Sequence, residues 1–267
     1  MIEVQNVNFA YHTGEPVITD IDLKINDGDF VALMGHNGSG KTTLSRLFMA
    51  LVEPRSGKVL VDDESNEGKE PADLADKIGY VFQNPDLQIL GDTVFDEVAY
   101  GPRTMNLREV MVKKQVESAL QATGLSELKD DYPRLLSFGQ KRRLGVAAAL
   151  ALAPKTLILD EITNGQDFME REHMMNYLKK LNDEKGITII LITHDMDVAC
   201  KFTKRSIVLK EGSLVFDGKT KDLFDGTKPL AFWGIGMPVL THLANKFGIV
   251  ASSVKELANG LQLKEEA

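Results

Sequence analysis

The stretch Phe30-Val-Ala-Leu-Met-Gly-His-Asn-Gly-Ser-Gly-Lys-Thr42 decides the fold of this 267-residue chain. It opens with a continuous apolar run, which is typical of a parallel strand buried on both faces. A helix is predicted from about Lys41 to Leu51. The residues between strand and helix fit the pattern G-x-x-x-x-G-K-[ST], namely Gly35, His36, Asn37, Gly38, Ser39, Gly40, Lys41 and Thr42. This order of elements predicts a phosphate-binding loop.

The chemistry of such a loop is specific. Its glycines let backbone N–H groups wrap phosphate oxygens, and the following helix presents its positive N-terminus. Lys41 can neutralise the β- and γ-phosphate oxygens, and the Thr42 hydroxyl can bind Mg²⁺. Because kinases, GTPases and helicases share this loop, it predicts by itself only that a nucleotide binds.

Further apolar runs indicate a parallel sheet around the first strand. Residues 156–160 and 187–193 have the pattern of buried strands with helical stretches nearby, which predicts a doubly wound α/β fold. The first thirty residues instead alternate in polarity, which predicts an antiparallel β subdomain. Residues from about 85 to 153 have no such strands, and they predict an inserted helical subdomain with a helix over residues 110–123.

Two patterns follow towards the C-terminus. Residues 206–216 predict a hairpin that turns at Glu211-Gly212. From about residue 218 the chain has a tail with helical patterns over residues 239–247 and 254–261. We expect this tail to form a small helical appendage.

The composition fits a globular protein. The chain is 43% apolar with a net charge of −8, which argues against a general nucleic-acid surface. Cys200 is the only cysteine, so no internal disulfide is possible and a reducing cytosol fits. The N-terminus lacks a signal-peptide pattern, and the longest apolar run, residues 146–153, is too short to span a bilayer. We therefore expect membrane contact to be peripheral or through a partner.

Two carboxylates end the buried run at residues 156–160. Asp160 can hold the shell of a magnesium ion, and Glu161 is placed to orient and deprotonate an attacking water. An acidic pair after a strand is a weak signal alone. After a phosphate-binding loop it predicts nucleotide hydrolysis.

The segment Leu136-Ser-Phe-Gly-Gln140 precedes an apolar helix, and Ser137 with Gln140 fits a capping box. It resembles the signature sequence of ATP-binding cassette proteins, whose usual form is L-S-G-G-Q. The resemblance implies a P-loop NTPase fold, ATP and Mg²⁺ as cofactors, and a head-to-tail dimer with a second ATPase. In that dimer, one subunit's signature closes over the γ-phosphate of the other through Ser137, Phe138, Gly139 and Gln140.

The resemblance extends to single residues. Tyr11 resembles the aromatic residue that stacks on adenine, and the nucleotide contacts extend to Thr43. Gln83 and His194 would reach the γ-phosphate region as catalytic residues beside Glu161, and Asp167 would lie at the dimer seam. The magnesium ligands that it implies are Thr42, Gln83 and Asp160. The match covers residues 1–217, which would form the ATPase domain, with the helical subdomain at about 85–153.

Residues 81–89 and 93–102 resemble the ATPases of energy-coupling factor transporters, the vitamin and metal-ion importers of prokaryotes. This implies a transmembrane coupling subunit, a separate solute-binding membrane subunit, and a peripheral location at the cytoplasmic face of the cell membrane. Asp96 and Glu97 would face basic coupling helices, although such a pair is commonly a solvated helix face. Residues 218–267 resemble that family's C-terminal dimerisation segment, with packing onto the sheet domain as the alternative.

Three positions depart from the family pattern. Phe138 replaces a signature glycine, Ile162 stands where proline usually follows the catalytic glutamate, and Gln166 stands where leucine usually precedes Asp167. None of these changes removes a catalytic side chain. They raise the question whether both composite sites of a dimer turn over equally.

Other interpretations stay open. The chain could serve another importer or an exporter, act as a soluble cassette protein on ribosomes or DNA, or be a small-molecule kinase. Soluble cassette proteins usually carry two cassettes or a long coiled coil, and a kinase has no use for the signature. The solute and the choice between homodimer and heterodimer are not specified by this sequence.

Overall fold

The computed structural model describes residues 1–12, 14–249, 251 and 254–265. The strands in this part of the chain are β1 (Ile2–Ala10), β2 (Pro16–Ile25), β3 (Phe30–Met34), β4 (Ser56–Val61), β5 (Glu64–Ser65), β6 (Ile78–Val81), β7 (Thr156–Asp160), β8 (Thr188–Ile192), β9 (Arg205–Lys210) and β10 (Ser213–Lys219). The helices are α1 (Lys41–Phe48), α2 (Val94–Thr104), α3 (Glu109–Thr123), α4 (Phe138–Leu150), α5 (Phe168–Lys185), α6 (Met196–Phe202), α7 (Thr220–Leu223), α8 (Val239–Lys246) and α9 (Val254–Glu265).

A six-stranded sheet in the order β10-β9-β3-β8-β7-β6 forms the centre of the molecule. The strands from β9 to β6 are parallel, and β10 forms an antiparallel hairpin with β9. All residues of β3, β7 and β8 are buried, as continuous apolar runs predict. The parallel strands end at one edge of the sheet, where ligands bind in open α/β folds. The predicted parallel sheet and the hairpin are both confirmed.

A second sheet, in the order β2-β1-β4-β5, is antiparallel. Its inner face shares one buried cluster with α1 and the large sheet, in which Val4, Leu44 and Ile190 take part. The polarity alternation of the first thirty residues therefore predicted this sheet correctly. The sequence interpretation missed β4 and β5, which complete it.

The segment between β6 and β7 is helical, as predicted. Val98 of α2, Val116 of α3 and Leu144 of α4 meet in a buried cluster of their own. Val146 of α4 and Leu178 of α5 pack instead against the large sheet. Helix α4 therefore has one side on the helical cluster and another on the sheet.

The end of α1 differs from the prediction. The helix ends at Phe48 instead of Leu51, because Ala50 adopts a left-handed conformation with φ of +54°. A left-handed residue cannot continue a right-handed helix. The short parallel strand β6 was also missed, although it places Gln83 at the edge of the sheet.

The C-terminal segment packs in two parts. Phe224, Leu230 and Trp233 cover Met34 and Val208 of the large sheet in one buried cluster. Helices α8 and α9 were both predicted, and they form a separate small cluster around Ala244, Ile249, Ala251 and Leu257. Across the described ranges, no helix has both the length and the apolar character that crossing a bilayer requires.

Candidate functional site

The loop between β3 and α1 has the geometry of an anion cradle. Gly35 has a φ of +144°, and a Cβ atom there would lie 2.2 Å from the carbonyl oxygen of Leu209, so only glycine fits. Gly212 N donates to Ser39 O at 3.1 Å, so the β9–β10 hairpin supports the loop from behind. Because α1 begins at Lys41, its free first-turn N–H groups lie at the end of this loop.

Lys41 bridges two backbone carbonyl groups of the loop. Its side chain is buried, and Nζ donates to the carbonyl oxygens of Gly35 and His36, both at 2.9 Å. Burial lowers the pKa of Lys41, and the nearby carboxylates of Glu161 and Asp160 oppose that effect. Because Nζ lies against the loop, the ammonium group is placed to contact phosphate oxygens that the loop binds.

The residues around the loop fit a phosphate ligand. The Ser39 hydroxyl oxygen is buried and has no hydrogen-bond partner within the described residues, and a buried hydroxyl favours a partner. The loop forms one wall of a cavity of about 560 Å³. The residues that line it come from the edges of both sheets: Val17, Asn37, Gly38, Gly40, Lys41, Thr42, Thr43, Gln83, Glu161, Asn164 and His194.

Asp160 lies at the end of β7, beside the start of α1. Its Oδ2 accepts a hydrogen bond from the Tyr80 hydroxyl at 2.8 Å and lies 3.5 Å from Thr42 Oγ1. Burial raises the pKa of Asp160, although the bond from Tyr80 acts in the opposite direction. Burial also raises the pKa of Tyr80, so this hydroxyl remains a donor. A hydroxyl and a carboxylate at this spacing suit Mg²⁺, which prefers oxygen ligands.

Glu161 is held by three side chains. Its Oε2 accepts from Gln83 Nε2 at 2.5 Å and from Asn164 Nδ2 at 2.8 Å, and its Oε1 lies 2.7 Å from His194 Nε2. The structure therefore brings Gln83, Glu161 and His194 together, as the sequence interpretation expected. They meet because β6, β7 and β8 end side by side.

Tyr11 and Thr43 lie together at the side of the loop. The Tyr11 hydroxyl is 3.2 Å from Thr43 Oγ1, and Arg46 Nη1 donates to the same hydroxyl at 3.3 Å. The ring also meets Phe9 edge to face, with centroids 4.8 Å apart. The position is beside the nucleotide loop, and the stacking of Tyr11 on adenine stays a prediction.

The signature forms the start of α4, away from the cavity. Ser137 Oγ accepts from Gln140 N at 3.2 Å, and Ser137 N donates to Gln140 Oε1 at 2.8 Å, so the capping box forms as its spacing indicates. The ring of Phe138 stacks on the Arg142 guanidinium at 4.6 Å. Arg142 Nη1 in turn donates to Ile162 O at 2.6 Å, which links the signature helix to the turn after Glu161.

Asp167 caps the next helix. Its side chain accepts from Glu170 N at 2.8 Å at the start of α5. In a single chain this is a helix N-cap. Its position at a dimer seam stays a prediction.

Comparison with known proteins decides the family. The model of the ABC transporter family matches residues 18–164. This chain belongs to that family. It is 41% identical to the energy-coupling factor transporter ATP-binding protein EcfA1 of Caldanaerobacter subterraneus, over 92% of this chain and 90% of that protein. The recognition of an ATP-binding cassette ATPase of the energy-coupling factor type is thereby confirmed.

Solved structures of ABC family members share this fold. CbiO1 of Clostridium perfringens, described as part of the ABC transporter complex CbiONQ, is 36% identical with a TM-score of 0.79, and the match covers 91% of this chain and 97% of that one. The ATP-binding cassette MJ0796, solved as a dimer with ADP and Pi after hydrolysis, is 31% identical with a TM-score of 0.76, over 82% of this chain and 99% of that one.

Some curated relatives are longer than this chain. It spans 45% of the length of an ABC transporter ATP-binding protein from the same Caldanaerobacter strain, to which it is 38% identical over 97% of its own residues. The chain therefore matches about half of that relative's length. The membrane partners of this ABC protein are a matter for proposal.

The sequence interpretation missed two residues of the site. Tyr80 and Asn164 both contact predicted carboxylates, and neither stands in the motifs used. Tyr80 lies on the missed strand β6, directly beside β7. Asn164 reaches Glu161 only because the turn after β7 folds back, with Asn164 N donating to Glu161 O at 3.3 Å.

The expected role of Glu97 is wrong. Its side chain is buried, and Oε2 accepts from the backbone N–H groups of Leu90 and Gly91, both at 2.7 Å. Glu97 therefore fixes the loop before α2 and is buried within the chain. Asp96 is more exposed, and pairs with Arg103 Nη1 at 3.0 Å. Only Asp96 of the two presents its charge at the surface.

Proposed function

We propose that this ABC ATPase binds Mg·ATP in the cavity beside the β3–α1 loop and hydrolyses it to drive an energy-coupling factor importer. The observation that carries the proposal is the convergence of Lys41, Asp160, Glu161, Gln83 and His194 at one edge of the sheet. These are the groups that phosphoryl transfer to water needs: a cation, a metal ligand and a base.

The mechanism follows from these positions. The loop N–H groups and Lys41 would bind the phosphates, and Nζ has a third N–H donor besides those given to Gly35 and His36. Thr42, Asp160 and Gln83 would hold Mg²⁺, which supplies charge neutralisation on the β- and γ-phosphates. Tyr80 would orient Asp160 from behind, as outer-sphere partners orient metal ligands.

Glu161 would act on the attacking water. Both carboxylate oxygens have contacts to Gln83, Asn164 or His194. Oε1 has one of these contacts, so a water could donate to the same oxygen. Gln83 and His194 would turn towards Mg²⁺ or the γ-phosphate when nucleotide binds, which would leave more of the carboxylate open to the water.

The active form would be a dimer with a second ABC ATPase. Ser137, Gly139 and Gln140 would complete the partner's site, and Asp167 would lie at the seam. The dimeric state of MJ0796 supports this arrangement. Residues 218–267 would add dimer contacts through the α8–α9 part, since the part up to Trp233 packs on the sheet.

The membrane partners would be a transmembrane coupling subunit and a separate solute-binding subunit, with this chain bound peripherally at the cytoplasmic face. The likeness to CbiO1 and EcfA1 supports this. The coupling subunit would dock beside α2, where Leu90 and Tyr100 are exposed next to Asp96. Copurification tests the proposal against the alternatives: a different importer, an exporter, or no membrane protein.

The first prediction concerns Glu161. Glu161→Gln should reduce phosphate release by the purified transporter complex by about 10² to 10⁴-fold, because the base is lost. ATP binding to the chain, followed with a fluorescent ATP analogue, should persist. In contrast, Lys41→Ala should lose ATP binding, measured with the same analogue, because the phosphates then lack the buried ammonium group. Hydrolysis by Glu161→Gln at the parent rate would contradict the assignment of the base.

A further inference from the structure

Glu170 lies beside the signature of this ABC protein. It stands in the first turn of α5, three residues after Asp167, and its side chain is half-buried. A Cβ atom placed on Gly139 would lie 2.5 Å from Glu170 Oε2 and 2.9 Å from Glu170 Oε1. The carboxylate therefore rests against the bare Cα atom of the second residue of α4.

The first turn of α4 favours an anion. This 13-residue helix carries partial positive charge at its N-terminus, where the first N–H groups have no partner within the helix. The capping box between Ser137 and Gln140 satisfies the N–H groups of these two residues. The donors that remain in this turn are the N–H groups of Phe138 and Gly139. Glu170 places its carboxylate at this turn, against the Cα side of Gly139.

The neighbouring arginines do not offset this charge. Arg142 is turned towards Ile162 O, at 2.6 Å, and towards the ring of Phe138. Arg171 forms an ion pair with Asp195 at 2.9 Å. Neither arginine forms an ion pair with Glu170 among the described residues, so the Glu170 carboxylate adds negative charge at the turn of α4 that an incoming phosphate would meet in the proposed dimer.

We propose that Glu170 opposes the ATP-dependent pairing of this chain with a second copy of itself. The inference rests on the proposed function, in which the γ-phosphate held by one subunit meets the signature of the other. Like charges a few Å apart in a partly desolvated interface repel each other strongly. The phosphate can bind only when Glu170 turns away, and in a pair of identical copies both sites carry this repulsion. Glu170 thereby weakens the ATP-dependent dimer.

The test compares two variants with the same net charge. Glu170→Gln removes the carboxylate with little change in shape, and Glu184→Gln removes an exposed carboxylate from the other end of α5. Both are made in the full chain carrying Glu161→Gln, so that ATP is not consumed. Sedimentation velocity then gives the dimer dissociation constant with Mg·ATP at low and high salt.

We expect Glu170→Gln to tighten the dimer by at least about tenfold at low salt. The gain should shrink at high salt, because salt screens charge repulsion. Glu184→Gln should associate like the parent. Equal association of parent and Glu170→Gln, including no association of either, would overturn the proposal. ATP binding to each variant as a monomer is measured in parallel. A failure of ATP binding would contradict the proposed function, and this measurement detects it separately from a failure to associate.

Discussion

Glu161 combines an unusual backbone conformation with a carboxylate that three side chains contact. Its φ of +51° lies in the left-handed region, which costs a non-glycine residue of order 1–2 kcal/mol. The contacts from Gln83, Asn164 and His194 stabilise this arrangement. Two of these three are catalytic candidates that would move during a cycle. Asn164 is the contact that we expect to persist, and it would keep the base aimed at the cavity.

A prediction at the residue scale follows for Asn164. Asn164→Ala should lower kcat by about three- to tenfold with KM for ATP nearly unchanged, because one hydrogen bond of about 1 kcal/mol to the base is lost. Steady-state kinetics of the transporter complex separates the two constants. Asn176→Ala, an exposed position on α5, is the control. A rise in KM with unchanged kcat would instead indicate that Asn164 contacts the nucleotide.

At the scale of elements, the loop before α2 depends on one buried carboxylate. Glu97→Ala should lower the free energy of unfolding by about 2–3 kcal/mol, because two backbone N–H groups lose a charged acceptor. Urea unfolding at equilibrium measures this change. Asp92→Ala, exposed in the same loop, should have little effect. If Glu97→Ala is as stable as Asp92→Ala, the two hydrogen bonds contribute little to the fold.

Glu97 also shows why part of the structure could not be predicted from the sequence. Asp96-Glu97 looks like a solvated or docking pair, and only the fold of residues 89–91 back onto α2 buries the second carboxylate. The phosphate loop, in contrast, was predictable because its own residues determine its chemistry. The strand β6 was missed because four residues interrupted by Gly79 carry almost no periodic signal. With β6, the contact of Tyr80 with Asp160 was missed as well.

At the scale of the whole molecule, the two sheets are joined by packing and by a few charged contacts. Asp62 follows β4 of the antiparallel sheet, and Lys155 precedes β7 of the large sheet. Lys155 Nζ and Asp62 Oδ2 are 2.8 Å apart, and the N-terminal ammonium of Met1 lies 2.8 Å from Asp62 Oδ1. The hydrogen bonds from Lys155 and the ammonium lower the pKa of Asp62 to about 2 from its ordinary value of 3.8. This carboxylate therefore links the start of the chain to both sheets.

The last prediction concerns acid stability through Asp62. Because its pKa is depressed in the folded state, its contribution is fully present above pH 3.8 and is lost as the pH falls towards 2. Asp62→Asn keeps the shape, and asparagine tolerates the left-handed φ of +53° at this position. At pH 7 the free energy of unfolding of the variant should be about 1–2 kcal/mol lower than that of the parent, a range that allows for screening of the exposed Lys155. Urea unfolding at pH 7, 5, 4 and 3 gives the difference in the free energy of unfolding between the parent and the variant. This difference should be constant down to pH 5 and should shrink below pH 4.

The matched control is Asp63→Asn, an exposed neighbour with φ of +65°. If Asp62→Asn differs from the parent in the free energy of unfolding by the same amount at pH 3 and pH 7, the ion pair does not supply this stability. The same conclusion would follow if Asp63→Asn lost as much free energy of unfolding as Asp62→Asn.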